Sequence, residues 1–290
     1  MLAWEMVDSA TMPGEGDVGR AGDAGVVRLF RRGQEFAIRV DGRELMASGV
    51  HGSEDALACM AWERLRQAPT GGREPLCRDA AGKRGAGKHE PPEEGTADAE
   101  RGPGRRKPPD EGTAEVEQGP RMLVGGLGMG YTLAAALAHA PEGAEVHVAE
   151  VVPAVVEWNR GPLAHLAGKP LDDERVTVLV RDVVEVIRES HAAYDVIALD
   201  VDNGPKWLAR PGNEWLYSPA GLAAAFDALT GRGLLAVWSA GPDRSFASRL
   251  VQAGFEVEEV AVRARGEKGG RRHVIWFAGK TARGPHRRKR

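Results

Sequence analysis

The stretch Arg121-Met122-Leu123-Val124-Gly125-Gly126-Leu127-Gly128-Met129-Gly130, running on into Tyr131-Thr132-Leu133, decides the fold. An apolar run of strand length meets a glycine turn, and the residues beyond it take up helical spacing. Glycine in such a turn permits positive φ and lets a ligand lie against the backbone near the following helix N-terminus. The spacing Gly126-x-Gly128-x-Gly130, followed by Tyr131, lacks the third glycine of the dinucleotide fingerprint, which favours an adenosyl-sulfonium ligand. Gly125, Gly126, Gly128 and Gly130 are the expected cofactor contacts, and a tight strand-to-helix turn without a ligand is the plain alternative.

Working outward, Ala144 to Ala149, Val176 to Val180, Val196 to Leu199 and Leu234 to Trp238 read as further buried strands. Between them Thr132 to Ala140, Pro153 to Trp158, Val183 to Glu189 and Ser218 to Leu229 have helical spacing or a starting Pro or cap. That alternation predicts right-handed βαβ units and a Rossmann-like, doubly wound, mostly parallel α/β sheet. A helix over Ser245 to Ala253 then leads to Phe255 to Val262 and His273 to Ala278, an expected antiparallel hairpin at the end of the sheet. Class I methyltransferases and their relatives share that shape, an analogy of fold only.

Upstream, Val26 to Phe30, Phe36 to Val40 and Glu44 to Ala47 read as short strands, with Asp41-Gly42 as a two-residue hairpin turn. Ser53 is the expected cap of a helix with Glu54 and Asp55 in its first turn, running through Leu57, Met60, Ala61 and Leu65. From Pro69 to Pro120 the chain is Gly, Pro and mixed charge, with Leu76 and Val116 as its large aliphatics, too little to offset ordering entropy. The expected organisation is an N-terminal β-rich lobe over 1–68, a disordered linker over 69–120, a catalytic domain over 121–279 and a basic tail over 280–290.

Composition narrows the classes. The 290 residues are 42% hydrophobic, enough for about two domains with a real core. A net charge of -3 supplies no global field for nucleic acid, so no specific nucleic-acid partner is expected. The N-terminus carries Glu5 and Asp8, and no apolar run reaches the roughly 18 residues that cross a bilayer, so a soluble cytoplasmic protein without a membrane partner is expected. Cys59 and Cys77 form no CxxC pair and the eight histidines show no ligand spacing, so no metal is expected. Trp158 reads as a core anchor under its helix.

Acids then fall at successive strand ends. Glu150 ends the second strand of the series, where a carboxylate accepts hydrogen bonds from a ribose diol, and Asp182 follows the third, on the adenine side. Taken singly, each reads better as a solvated strand-end charge or a helix cap, and it is their recurrence at successive strand ends that favours the ligand. The fourth strand runs into Asp200-Val201-Asp202-Asn203-Gly204-Pro205. Asp200 and Asp202 are the candidate catalytic pair, able to hold an amine and accept its proton, against the alternative of an Asx turn.

The series Val124 to Gly130, Val148-Ala149-Glu150, Arg181-Asp182, Ile197 to Asp200, Gly204-Pro205 and Leu216-Tyr217-Ser218 resembles the spermidine synthase (polyamine aminopropyltransferase) family in order and spacing. The resemblance covers most of the ordered chain and implies a transferase of polyamine biosynthesis, with S-adenosylmethionine or its decarboxylated form as co-substrate and a small amine as acceptor. By resemblance, Glu150 binds the ribose, Asp182 the adenine side, and Asp200 accepts the proton. Glu214 and Tyr217 are expected to bind the acceptor, and a homodimer is expected. The chain also departs from the family: Gly128 stands where the family's turn usually carries an aspartate, the acid before Gly-Pro is displaced to Asp202, and the helix reads Glu54-Asp55-Ala56-Leu57 where the family has a tyrosine and histidine. Three readings stand: aminopropyl transfer, methyl transfer from S-adenosylmethionine, and non-catalytic nucleoside binding.

Overall fold

The computed structural model describes residues 2–13, 25–49, 51–67, 119–201, 213–266 and 269–280. Asp202, nearly all of the expected linker over 69–120, and the tail after Lys280 lie outside the described residues.

Strands β1 (Glu5–Thr11), β2 (Val26–Arg32), β3 (Glu35–Val40) and β4 (Arg43–Ala47) form a four-stranded antiparallel sheet in chain order. Val27, Leu29, Phe36 and Ile38 turn into the core, the alternation that one buried face demands. Asp41 and Gly42 both take positive φ, as the tight hairpin turn requires. Strand β1 was not anticipated, and its side chains are nearly all exposed, so it carries no alternation to read. Helix α1 (Gly52–Gln67) buries Leu57, Ala58, Ala61 and Trp62. It begins ahead of Ser53, whose hydroxyl therefore donates to Glu54 Oε2 at 2.7 Å and lies 3.0 Å from His273 Nδ1 instead of serving as the expected cap.

The large sheet is built from β5 (Arg121–Gly125), β6 (Glu145–Ala149), β7 (Val176–Leu179), β8 (Tyr194–Leu199), β9 (Leu229–Ser239), β10 (Phe255–Arg263) and β11 (Arg272–Lys280). Their order is β10-β11-β9-β8-β5-β6-β7, parallel throughout except that β11 runs antiparallel to both β9 and β10. Met122, Leu123 and Val124 are buried on both faces, as a central parallel strand must be. Helices α2 (Tyr131–His139), α3 (Pro153–Arg160), α4 (Val183–Glu189), α5 (Pro219–Ala228) and α6 (Arg244–Gln252) complete the alternation. The mixed α/β fold with its terminal hairpin matches the expectation. Most boundaries shift by a residue or two, and the larger difference is at β9, to which Thr230 to Gly233, turn-like in sequence, already belong.

Two apolar layers sandwich this sheet. One joins the lobe to it, packing Val27, Ile38 and Trp62 with Met122, Leu133, Val196 and Ile275. The other packs Leu123, Ile197, Leu235, Phe246 and Trp276 on the opposite face. Trp62 Nε1 donates to the carbonyl of Ala136 in α2 at 3.0 Å. Trp158 is buried as expected, donating to Asp8 at 2.7 Å.

Candidate active site

Strand β5 pairs with β6 on one side and β8 on the other, so the chain reverses its winding here. A crevice opens at such a point, outside the carboxyl ends of the strands. Gly126 sits in it with φ +87°, and a Cβ there would stand 2.7 Å from the carbonyl oxygen of Asp200, so glycine is required. Gly130, at φ +83°, leads into α2, and Asn159 Nδ2 fastens the turn by donating to the Gly128 carbonyl at 2.8 Å. Gly126 and Gly128 line the cleft. Gly125 instead lets Leu199 and Val183 close over the strand end, so it and Gly130 shape the turn.

Each acid at the strand ends is held. Glu150, after β6, is buried and accepts from the Leu127 N–H at 3.1 Å and the Val152 N–H at 2.8 Å. Burial raises its pKa, and these main-chain donors oppose the rise. Asp182 caps α4 by accepting from the Val184 N–H at 2.8 Å and also lines the cleft. Asp200, after β8, accepts from Thr132 Oγ1 at 2.6 Å. Burial pushes its carboxyl up to about 6 against that hydrogen bond.

The lobe completes the site. Glu54 of α1 lines the same cleft as Asp200, and burial, then the charge of Asp200, push its carboxyl up to about 7 despite the Ser53 hydrogen bond. Met46 of β4 occupies the space beside Gly128: a Cβ on that glycine would stand 2.7 Å from the Met46 methyl and 2.9 Å from its sulfur. The aspartate expected of this turn is therefore not merely lost; a thioether fills its place. Among the described lining residues of this cleft, four are carboxylates and none is Lys, Arg or His. Such a lining attracts cations.

Two expected acceptor contacts are not brought here. The 3₁₀ turn Asn213–Tyr217 presents Asn213 to the cleft, leaves Glu214 exposed and turns Tyr217 into the core against Phe246, ring centroids 5.6 Å apart. Asp202 lies outside the described residues. Thr132, Met46 and Glu54 are not among the site residues that the sequence singles out, where Glu54 reads only as a first-turn charge. A signal for Glu54 existed: it shares the stripe of Leu57, Ala58 and Ala61 at helical spacing, so a carboxylate stands on the apolar face. Among the described residues no cluster of His, Cys, Asp and Glu could hold a metal, and no helix is long and apolar enough to cross a membrane.

Residues 118–241 match the family model of the spermine/spermidine synthase domain. No curated protein matches the chain. The fold resembles the spermidine synthase of Thermotoga maritima, with TM-score 0.59 at 16% identity over 96% of this chain and 74% of that one. It also resembles a spermidine synthase bound to the transition-state analogue AdoDATO, with TM-score 0.57 at 15% identity over 96% and 73%. A probable spermidine synthase from Corynebacterium glutamicum follows, with TM-score 0.50 at 13% identity over 91% and 81%. Over residues 118–241 the chain is similar to the spermine/spermidine synthase domain, and the solved spermidine synthases share its fold.

Proposed function

We propose that this spermidine synthase-like chain transfers an aminopropyl group from decarboxylated S-adenosylmethionine to a small amine. The observation that carries the reading is the lining of one cleft by Gly126, Gly128, Glu150, Asp182 and Asp200, in a domain of this family. Glu150 would accept from the ribose hydroxyls and Asp182 would sit toward the adenine. The glycine backbone admits the nucleoside closely, leaving its sulfonium side toward Asp200.

Asp200 performs the proton chemistry. An amine attacks only when its lone pair is free, and a carboxylate within reach orients the group and accepts its proton. Nitrogen then bonds to the CH2 on sulfur, the carbon–sulfur bond breaks with its electron pair going to the sulfonium, and methylthioadenosine leaves. The proton passes from nitrogen to the Asp200 carboxylate. Thr132 fixes that carboxylate by donating to one oxygen, so the proton acceptor is positioned before the amine arrives.

A second reading, methyl transfer from S-adenosylmethionine, draws on Met46, which fills the space where the family's turn carries an acid toward an amine. The two separate by product. With decarboxylated donor and an amine, release of methylthioadenosine supports aminopropyl transfer. Preference for the carboxylated donor with release of S-adenosylhomocysteine would replace it with methyl transfer. The homodimer and the cytoplasmic setting are proposed on the same family resemblance.

A further inference from the structure

We propose that Glu54 holds the ammonium end of the acceptor, and that the part of the acceptor lying against the lobe is an apolar body. The inference rests on the amine-acceptor reading above and names its substrate class. Glu54 and Asp200 face one cleft from opposite elements, α1 and the end of β8, a pair of acids that a single cation satisfies. Glu54 stands in for the acid that the turn lacks at Gly128. Beyond the pair the lobe contributes Met12, Val27, Ile38, Val40 and Met46 to the wall, with no further carboxylate among its described lining residues. A second ammonium against that wall would lose its hydration without a partner, whereas an alkyl or aryl body would gain by burial.

The support of Glu54 agrees with such a role. Ser53 donates to Glu54 Oε2, and Ser53 is in turn held beside His273 of β11, so the carboxylate is fixed from two elements. The charged and titratable groups around it are Asp200 at the end of β8, Asp55 on α1, Tyr131 of α2 and, through Ser53, His273. Burial of both carboxyls, with the charge of Asp200 adding to the effect on Glu54, leaves the pair partly protonated near neutral pH. An entering ammonium ion therefore displaces a proton.

The test is titration calorimetry of the full chain, with and without methylthioadenosine, using n-hexylamine and 1,4-diaminobutane as probes. Hexylamine is expected to bind at least tenfold more tightly than the diamine. Glu54→Gln is expected to weaken hexylamine at least tenfold while methylthioadenosine affinity stays within about twofold, which also reports that the variant is folded. Diaminobutane binding as tightly as hexylamine, or hexylamine indifferent to the substitution, overturns the inference. Should Glu54→Gln not fold, the wild-type titration in two buffers of different ionisation heat decides: net proton release supports the pair, and none overturns it. Turnover is read separately. Absence of methylthioadenosine release with any amine, alongside the expected binding, sinks aminopropyl transfer and leaves the amine site standing.

Discussion

At the scale of single residues, two carboxylates set the pH behaviour. Asp200 must be ionised to take the amine's proton, and burial has moved its titration up to about 6. Transfer, followed as methylthioadenosine release, is expected to rise with pH between about 5 and 7. Asp200→Asn is expected to lower kcat at least 100-fold with methylthioadenosine binding retained. An unchanged rate removes Asp200 from the chemistry. The same shifts carry a stability consequence of definite sign. Both acids titrate higher when folded than the ordinary carboxylate range, so the folded chain binds more protons than the unfolded one between about pH 4 and 7. Stability then falls as pH rises through that window. Glu54→Gln is expected to raise Tm by about 3 °C at pH 8 and to give no gain at pH 5, measured by thermal denaturation. Asp200 was legible in sequence because strand, acid and turn follow one another. Its partner was not, because the pairing of Glu54 with Asp200 spans two elements far apart in the chain.

At the scale of elements, the glycine turn and the cap of α4 each do two things. Gly128 is hemmed by Met46, so restoring an aspartate there is expected to destabilise the fold by about 1–3 kcal/mol through overpacking. Adding Met46→Ala to Gly128→Asp is expected to recover part of the loss, and denaturant midpoints of the single and double variants check it. Asp182 both caps α4 and lines the cleft. Asp182→Ala is expected to cost about 1 kcal/mol of stability, whereas Asp182→Asn keeps an acceptor at the cap and most of the stability. If Asp182→Asn nevertheless weakens adenosine-ligand binding in calorimetry, the cleft role is separable from the cap. Helix α4 was legible over Val183 to Glu189 because the Asp182 cap marks its start and its apolar residues keep helical spacing. Strand β1 had no such mark, since a strand exposed on both faces has no alternation, and the opening of β9 was hidden by glycines that belong to an exposed strand end. Tyr217 is buried against Phe246, because a motif places a residue in sequence without fixing the side to which a 3₁₀ turn directs it.

At the scale of the whole molecule, the lobe and the large sheet share one apolar layer, so the cleft exists only while both are folded. Trp62 is the clearest tie: fully buried, it reaches from α1 to the main chain of α2 through its Nε1–H. The core around it holds residues of β2 and β3 as well as β5 and β8. Elements that bury one continuous surface unfold together when neither part retains enough burial to offset its chain entropy alone. Calorimetry of the full chain is therefore expected to show one cooperative transition. Trp62→Ala removes a large buried ring and leaves the Ala136 carbonyl without that donor, a loss of about 3–5 kcal/mol. For a chain of this size that lowers Tm by roughly 10 °C, again in a single step. A variant that melts the lobe first, leaving the sheet with wild-type methylthioadenosine affinity, would show that the shared layer is dispensable. The carboxylate of Glu54 reaches the cleft from the same helix as Trp62, so amine binding is expected to be lost at the temperature at which the shared core melts.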